Sequence, residues 1–192
     1  MTGGNDQVII ATHNGRAVRF PEETVRPMGR GAAGVRGVKL VGEGDKVVGI
    51  VCVSDSGRNL LVVSEKGYGK RSEIEDYRVT NRGTQGVRTL NITEKTGSVV
   101  GILDVEDSNE LMIINKSGIM IRTSVADLRV MGRNTQGVRL IRLNEDDAIS
   151  SIARIDIQEE VVEPSDEEMI NPSEGGETPE TGFETTENQS PE

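Results

Sequence analysis

Arginine recurs at fixed spacing in this chain, and its planar guanidinium fits the oxygens of phosphate groups well. A glycine, three arginines and the triplet Gly-Val-Arg occur three times with every internal spacing preserved, at offsets of 52 and 51 residues. The copies are Gly15, Arg19, Arg26, Arg30, Gly34, Val35 and Arg36; Gly67, Arg71, Arg78, Arg82, Gly86, Val87 and Arg88; and Gly118, Arg122, Arg129, Arg133, Gly137, Val138 and Arg139. Because duplex DNA presents closely spaced phosphates, this repetition predicts DNA contact.

Side-chain alternation along the predicted strands separates the arginines into groups. One group lies opposite the neighbouring apolar positions, as an exposed basic rim requires: Arg19, Arg71 and Arg122. A second group shares the side of the apolar residues that follow it and is assigned either to DNA contact or to structural pairing: Arg36, Arg88 and Arg139. The loop arginines complete the predicted DNA-binding set: Arg26, Arg30, Arg78, Arg82, Arg129 and Arg133. The alternative is that some of these arginines tie blade loops together.

Other kinds of chemistry find little support in the sequence. The single histidine, His13, lies in a predicted turn, and no cluster of potential metal ligands accompanies it. Residues 29–34 match the GxGxxG pattern of dinucleotide sites, but the equivalent residues 81–86 and 132–137 break the pattern and no helix is predicted to follow. We therefore expect no catalytic residue and no cofactor bound by this segment. Without a recognition helix or an aromatic platform, DNA binding would tolerate any base sequence.

The charge is unevenly distributed along the chain. The net charge is -10, yet residues 158–192 contain 12 acidic and no basic side chains, which leaves residues 1–157 weakly basic. Such asymmetry suggests nucleic-acid contact. The one cysteine, Cys52, lies in an apolar run and is expected in the core. The lack of an apolar run of about 18 residues and of a signal peptide predicts a cytoplasmic, nucleoid-associated protein without membrane contact.

Short β-rich runs separated by glycine, asparagine and aspartate turns predict an all-β fold. Each copy of the pattern contains four such runs, with the third directly after the Gly-Val-Arg triplet. Four antiparallel strands in about 51 residues match one blade of a propeller-like array. The predicted blades are residues 8–59, 60–110 and 111–157.

Three blades alone leave two apolar faces uncovered, since radial arrays usually close with about four to eight blades. The chain is therefore expected to be a fragment of a larger array. Residues 158–192 are rich in Glu, Pro, Ser, Thr and Gly and are predicted to be disordered. Their carboxylates are either a solvated extension or a tethered polyanion that competes with DNA for the basic rim.

Residues 18–40, 65–90 and 117–143 resemble the C-terminal domain of the bacterial DNA gyrase A protein, and the resemblance extends over about residues 8–157. That family implies a six-bladed β-pinwheel whose basic perimeter wraps DNA, with the rim arginines and Lys70 as DNA contacts. It also implies the partners of this segment: the remaining blades, the breakage–reunion domain and the gyrase B protein. Together they form an A2B2 enzyme that uses ATP and Mg²⁺ for negative supercoiling. The chain would supply the last three blades and the acidic tail, without the catalytic tyrosine and hence without activity alone.

The gyrase box Q-R-R-G-G-K-G is absent, and residues 81–86 are its nearest counterpart. The corresponding protein of topoisomerase IV is therefore an alternative within the family. A propeller that serves as a protein-interaction scaffold is the alternative from a different class. The low aromatic content of 2% and the lack of tryptophan argue against kelch and WD repeats.

Overall fold

The computed structural model describes residues 2–54 and 57–156, and the predicted tail, 158–192, lies outside them. Short 3-10 turns at Glu22–Thr24 and Ile74–Asp76 follow two of the strands. The described residues form eleven strands: β1 (Gln7–Thr12), β2 (Arg16–Pro21), β3 (Val47–Val53), β4 (Asn59–Ser64), β5 (Tyr68–Glu73), β6 (Val87–Arg88), β7 (Val99–Val105), β8 (Asn109–Asn115), β9 (Met120–Ser124), β10 (Val138–Arg139) and β11 (Ile149–Asp156).

The strands form three sheets, which we call blades. Blade 1 has the order β3-β1-β2-β6, blade 2 the order β10-β5-β4-β7, and blade 3 the order β11-β8-β9. All pairings within the sheets are antiparallel. The predicted fold class, an all-β array of propeller-like blades, is confirmed.

The fourth strand of a blade comes from the following repeat. Strand β6 pairs with β2, with Arg88 opposite Arg16, and β10 pairs with β5, with Arg139 opposite Tyr68. The third strand was predicted directly after the Gly-Val-Arg triplet and within its own repeat. Both parts of that prediction are wrong, because the strand is the Val-Arg of the triplet itself and joins the preceding blade. Blade 3 has three strands in the described part of the chain.

The glycine before each exchanged strand allows the two backbones to approach closely. Gly86 and Gly137 have φ values of +66° and +75°, in the left-handed region that glycine favours. A Cβ atom at these residues would lie 2.1 Å from the carbonyl oxygen of Ala17 and 2.4 Å from that of Gly69. At Gly34, the equivalent glycine of the first repeat, nothing lies within 4 Å. The fixed glycine of the Gly-Val-Arg triplet thus serves the strand exchange.

Each blade buries one apolar face against the next. Ile9 and Ala11 of blade 1 pack with Leu60 and Val62 of blade 2 around Tyr77, which is fully buried. The second junction, between blades 2 and 3, is built in the same way from Leu61, Val63, Leu111 and Ile113 together with Val125, Leu128 and Ile149.

No further blade packs on the outward face of blade 1 among the described residues, and only Val25 and Val38 of the following loop cover part of it. Val8, Ile10, Val18 and Phe20 form a small cluster on this face, and Ile50 beside them is 61% exposed. Cys52 lies on the same strand as Ile50 and is exposed, so its predicted core position is wrong. Alternation placed it correctly on an apolar face, but the described residues leave the part of that face around Cys52 uncovered.

Candidate nucleic-acid interface

The first arginine of the repeated pattern points toward the next blade in the first two repeats. The guanidinium of Arg19 donates to the carbonyl oxygens of Ile74 and Tyr77, at 2.8 and 3.2 Å. Arg71 is 6% exposed, donates to the Leu128 carbonyl and forms an ion pair with Asp107. These arginines bind the turn that follows the second strand of the neighbouring blade, so the expected exposed rim position is wrong for Arg71.

The third member, Arg122, has no following blade in the described chain. Its side chain is 57% exposed and pairs with Glu110 of the same blade. The contrast with Arg19 and Arg71 shows that this arginine position connects successive blades wherever a next blade is present.

Lys70 also lies inside the protein, with no exposed surface. Its ammonium group donates to the Gly132 carbonyl at 2.5 Å, and burial lowers its pKa to about 8. The resemblance implies that Lys70 contacts DNA, but in this conformation an external phosphate cannot reach it. Its place is taken by Val18 in the first repeat and Ile121 in the third, which fits a position inside a blade junction.

The remaining arginines of the repeated pattern reach solvent. Arg82 and Arg133 are half-buried, and the others are exposed: Arg26, Arg30, Arg36, Arg78, Arg88, Arg129 and Arg139. None of these nine has a carboxylate oxygen within 4.0 Å in the part of the chain that the structure describes. By contrast, Arg58 and Arg154 both form ion pairs with Asp104. The nine arginines therefore retain the capacity to bind anions.

The loops that carry these arginines lie against the preceding repeat. Thr80 donates its backbone N–H to the Arg19 carbonyl, and Met131 donates in the same way to the Arg71 carbonyl, both at 2.8 Å. Farther along the first of these loops, the Thr84 carbonyl accepts from the Lys39 N–H at 2.9 Å. Each loop is thus fixed beside the Gly-Val-Arg segment of the repeat before it.

This arrangement brings together arginines of successive repeats. The Arg82 guanidinium donates to the backbone carbonyl of Arg36 at 3.3 Å and to that of Thr24 at 3.2 Å. In the next repeat, Arg133 donates to the carbonyl of Arg88 at 3.2 Å. The apolar-side assignment of Arg36 and Arg88 is wrong, since both side chains are exposed. In the second repeat the exchanged strand has only two residues, too few for alternation to extend from the apolar positions back to Arg88.

Two residues of this region had no assigned role in the sequence-based predictions. Arg16 lies opposite Arg88 in the sheet, and Tyr68 takes the equivalent place opposite Arg139. Arg139 donates to the Tyr68 hydroxyl at 2.8 and 3.2 Å, which lowers the pKa of that hydroxyl, and the Lys95 ammonium lies 5.3 Å from the ring centroid. Both residues follow the fixed glycine that opens each copy of the pattern, and that proximity was the signal available in the sequence.

Neither a metal site nor a membrane span is found among the described residues. No three or more His, Cys, Asp or Glu side chains are grouped so that they could hold a metal ion within residues 2–54 and 57–156. No helix in these ranges has the length and apolar composition needed to cross a bilayer.

Four-stranded antiparallel blades that share exchanged strands, with basic loops at the exchange, define a β-propeller of the pinwheel class. The family model described as the DNA gyrase C-terminal domain, beta-propeller, matches residues 6–54, 58–106 and 109–156. The chain belongs to this family.

Similar proteins agree with this assignment. The chain is 45% identical over 177 residues to the DNA gyrase A protein of Staphylococcus aureus (strain MRSA252), and 48% identical over 169 residues to that of Chlamydia pneumoniae. These alignments cover 92% and 88% of this chain, but only 20% of each relative. The chain thus spans about a fifth of the length of the curated relatives it matches.

Solved structures show the same architecture. A DNA gyrase A C-terminal domain superposes with a TM-score of 0.72 at 31% identity, over 78% of this chain and 50% of that domain. The C-terminal domain of a DNA topoisomerase IV superposes with a TM-score of 0.75 at 24% identity, over 81% of this chain and 48% of that domain. At 24% identity, the similarity to the topoisomerase IV domain shows a shared fold alone.

Proposed function

We infer that this chain binds duplex DNA through its exposed arginines and, as part of a gyrase A protein, holds DNA against its blades. The observation that carries this proposal is the set of nine solvent-accessible arginines without a carboxylate partner in the described residues. Guanidiniums that recur with every repeat and have no carboxylate partner in this part of the chain can each contact one of the closely spaced DNA phosphates. The exchanged strands and the loops beside them hold these groups at the same place on successive blades.

Wrapping requires that the DNA bend as it follows the blades. Bending costs on the order of 1–6 kcal/mol for 20–30 base pairs, and several phosphate contacts on each blade can offset this cost. Because phosphate contacts carry no sequence information, such binding tolerates different base sequences. The similar relatives named above are gyrase A proteins, which favours a gyrase role over one in topoisomerase IV.

The activity of the whole enzyme is a further part of the proposal. With the remaining blades, the breakage–reunion domain and the gyrase B protein in an A2B2 assembly, this segment would support negative supercoiling driven by ATP. By resemblance to the family, ATP and Mg²⁺ would be bound by the rest of that assembly. The part played by this chain is the electrostatic capture of DNA.

A salt titration of the 192-residue chain with two unrelated duplex DNA sequences tests the proposal. Four phosphate contacts would weaken the affinity by roughly a hundredfold between 50 and 200 mM salt, and about equally for both sequences. Replacement of Arg36, Arg82, Arg88 and Arg133 by glutamine should reduce the slope of log affinity against log salt. The matched control, Arg58→Gln with Arg154→Gln, removes arginines that already have carboxylate partners and should change the slope little.

A different result would point to another class of protein. A chain that is folded by circular dichroism yet shows no affinity for DNA, or an affinity independent of salt, would be a protein-interaction scaffold. A strong preference for one of the two sequences would contradict the phosphate-based mode of binding.

A further inference from the structure

Two arginines lie directly opposite each other where blade 1 receives its exchanged strand. Arg16 of β2 pairs with Arg88 of β6 in the antiparallel register. Residues paired in this way point to the same face of a sheet, with Cβ atoms about 4.5–5.5 Å apart. Like charges at such positions destabilise a sheet unless a counter-charge is present. Neither arginine has a carboxylate within 4.0 Å among the described residues.

A third guanidinium reaches the same place from the third repeat. Arg133 donates one N–H to the backbone carbonyl of Arg88 at 3.2 Å. Arg16 makes a longer contact, 3.5 Å, to the carbonyl of Gly86. A guanidinium has five N–H donors, so a single backbone contact leaves most of them available to an anion. Arg133 is half-buried, and its contact with the Arg88 carbonyl holds the guanidinium beside β6, the edge strand of blade 1.

We propose that Arg16, Arg88 and Arg133 form one phosphate-binding site for duplex DNA, with each arginine contributed by a different repeat. This proposal rests on the DNA-binding function proposed above and adds a specific site to it. Three guanidiniums around one phosphodiester supply parallel charge-assisted hydrogen bonds, which are the strongest kind available to an anion of this shape. The bound phosphate would also supply the counter-charge that the Arg16–Arg88 pair lacks.

The site is not repeated in blade 2. There Tyr68 occupies the position of Arg16, and its hydroxyl accepts hydrogen bonds from Arg139. The exchanged strand of blade 2 therefore meets a phenol in place of a second guanidinium. It follows that the exposed arginines of the two exchanges are not equivalent, and that the proposed site belongs to the first exchange only.

The test measures the affinity of the full chain for one duplex DNA as a function of salt, for Arg16→Gln, Arg88→Gln, Arg133→Gln and the pairwise double variants. Each single variant should bind roughly tenfold more weakly, the loss expected for one charge-assisted hydrogen bond. Because the three arginines share one phosphate, each single variant should lower the salt slope by less than the one unit expected for an arginine with a phosphate of its own. In each double variant the fold loss of DNA affinity should be smaller than the product of the two single losses, because both arginines contact the same phosphate. Arg58→Gln, with the same change in charge, should bind nearly as the parent chain does.

Three outcomes are distinguishable once circular dichroism has shown that the variants are folded. An intact affinity in Arg16→Gln, beside a parent chain that binds DNA with a steep salt slope, overturns the site and leaves the DNA-binding function standing. Strictly multiplicative losses also overturn it, since they indicate separate phosphates. A parent chain that does not bind duplex DNA overturns both proposals. If Arg16→Gln is poorly folded, Arg16→Lys with Arg88→Lys keeps the charge but loses the fork geometry, and full affinity in that variant rejects the site.

Discussion

The ammonium group of Lys70 lies inside the protein, so the free energy of unfolding depends on whether that group carries a proton. Burial lowers its pKa from the ordinary 10.5 to about 8 in the folded chain, partly opposed by the Asp76 carboxylate and aided by Arg133. Between these two values the unfolded chain binds more protons than the folded one. The free energy of unfolding should therefore rise with pH across this window, and below it Lys70 adds no pH dependence because it is protonated in both states.

The predicted size of this effect is roughly 3 kcal/mol, from about 1.4 kcal/mol for each unit of pKa. Urea unfolding from pH 7.5 to 10 would measure it, with Lys70→Met as the comparison because tyrosine and cysteine side chains also titrate in this range. The parent chain should gain stability relative to Lys70→Met as the pH rises. Parallel pH profiles for the two proteins would show that the ammonium is solvated in the folded chain.

The candidate site was only partly predictable at the level of single residues. Strand alternation correctly placed Arg19 and Arg71 on the strand face opposite the neighbouring apolar residues. That face is not exposed, however, because blades stack and the next blade covers it. Arg88 was harder, because a two-residue strand is too short for alternation to assign a face. Arg16 directly follows a fixed glycine, but arginine is not repeated at that position, and the pairing of β2 with β6 is what brings it opposite Arg88.

The exchanged strand is the element that joins one repeat to the previous blade, and its glycine sets how closely the two backbones pass. We predict that Gly86→Ala destabilises the chain by more than about 2 kcal/mol, since the methyl group would meet the Ala17 carbonyl in addition to the strained backbone conformation. Gly34→Ala is the matched control: it has φ +80° but open space around it, and should cost only about 1 kcal/mol. Guanidinium unfolding midpoints of the two variants provide the measurement.

Equal losses of stability in the two glycine variants would mean that only the positive φ requires glycine. The contact between the new methyl group and the Ala17 carbonyl would then relax without cost. A larger loss of stability for Gly86→Ala would show that the close approach of the exchanged strand to β2 requires glycine. Hydrogen exchange should then show the weakened protection in β2 of blade 1, which pairs with β6.

The sequence predicted the long strands better than it predicted which strands pair with each other. Apolar runs and glycine turns located β1, β2, β4 and β5, and the repeat length indicated blades. The partner of the Val-Arg strand was not predictable, because every repeat offers the same edge to it and local residues cannot distinguish one blade from the next. The exchange depends on the path of the intervening loop, which contacts the preceding repeat through backbone hydrogen bonds such as that from Thr80 to Arg19.

On the scale of the whole molecule, the array of blades has an uncovered apolar face at its start. Ile50 and Ile102 occupy equivalent strand positions, opposite Ile10 and Val62, yet they are 61% and 5% exposed. We predict that Ile102→Lys destabilises the chain by about 3 kcal/mol or more, since it buries a charge between blades. Ile50→Lys should change stability by less than about 0.5 kcal/mol, as for other exposed positions. Thermal unfolding of the two variants measures the difference.

A substantial loss in Ile50→Lys would show that the face of blade 1 is covered in solution, for example by a second copy of the chain. Repeating the measurement at several protein concentrations would identify this case, because association makes the unfolding temperature depend on concentration.

The strand exchange also sets the order in which the chain can finish folding as it is synthesised. Strands β1, β2 and β3 emerge from the ribosome well before Val87 and Arg88, the residues that complete their sheet. At about 5–20 residues per second, synthesis of the intervening repeat takes several seconds. During that interval the edge of β2 is open to any strand, including one from a neighbouring nascent chain. Blade 1 therefore cannot complete its sheet until the next repeat has been translated. Slow codons just before residue 87 would prolong the time during which β2 can pair with a wrong strand.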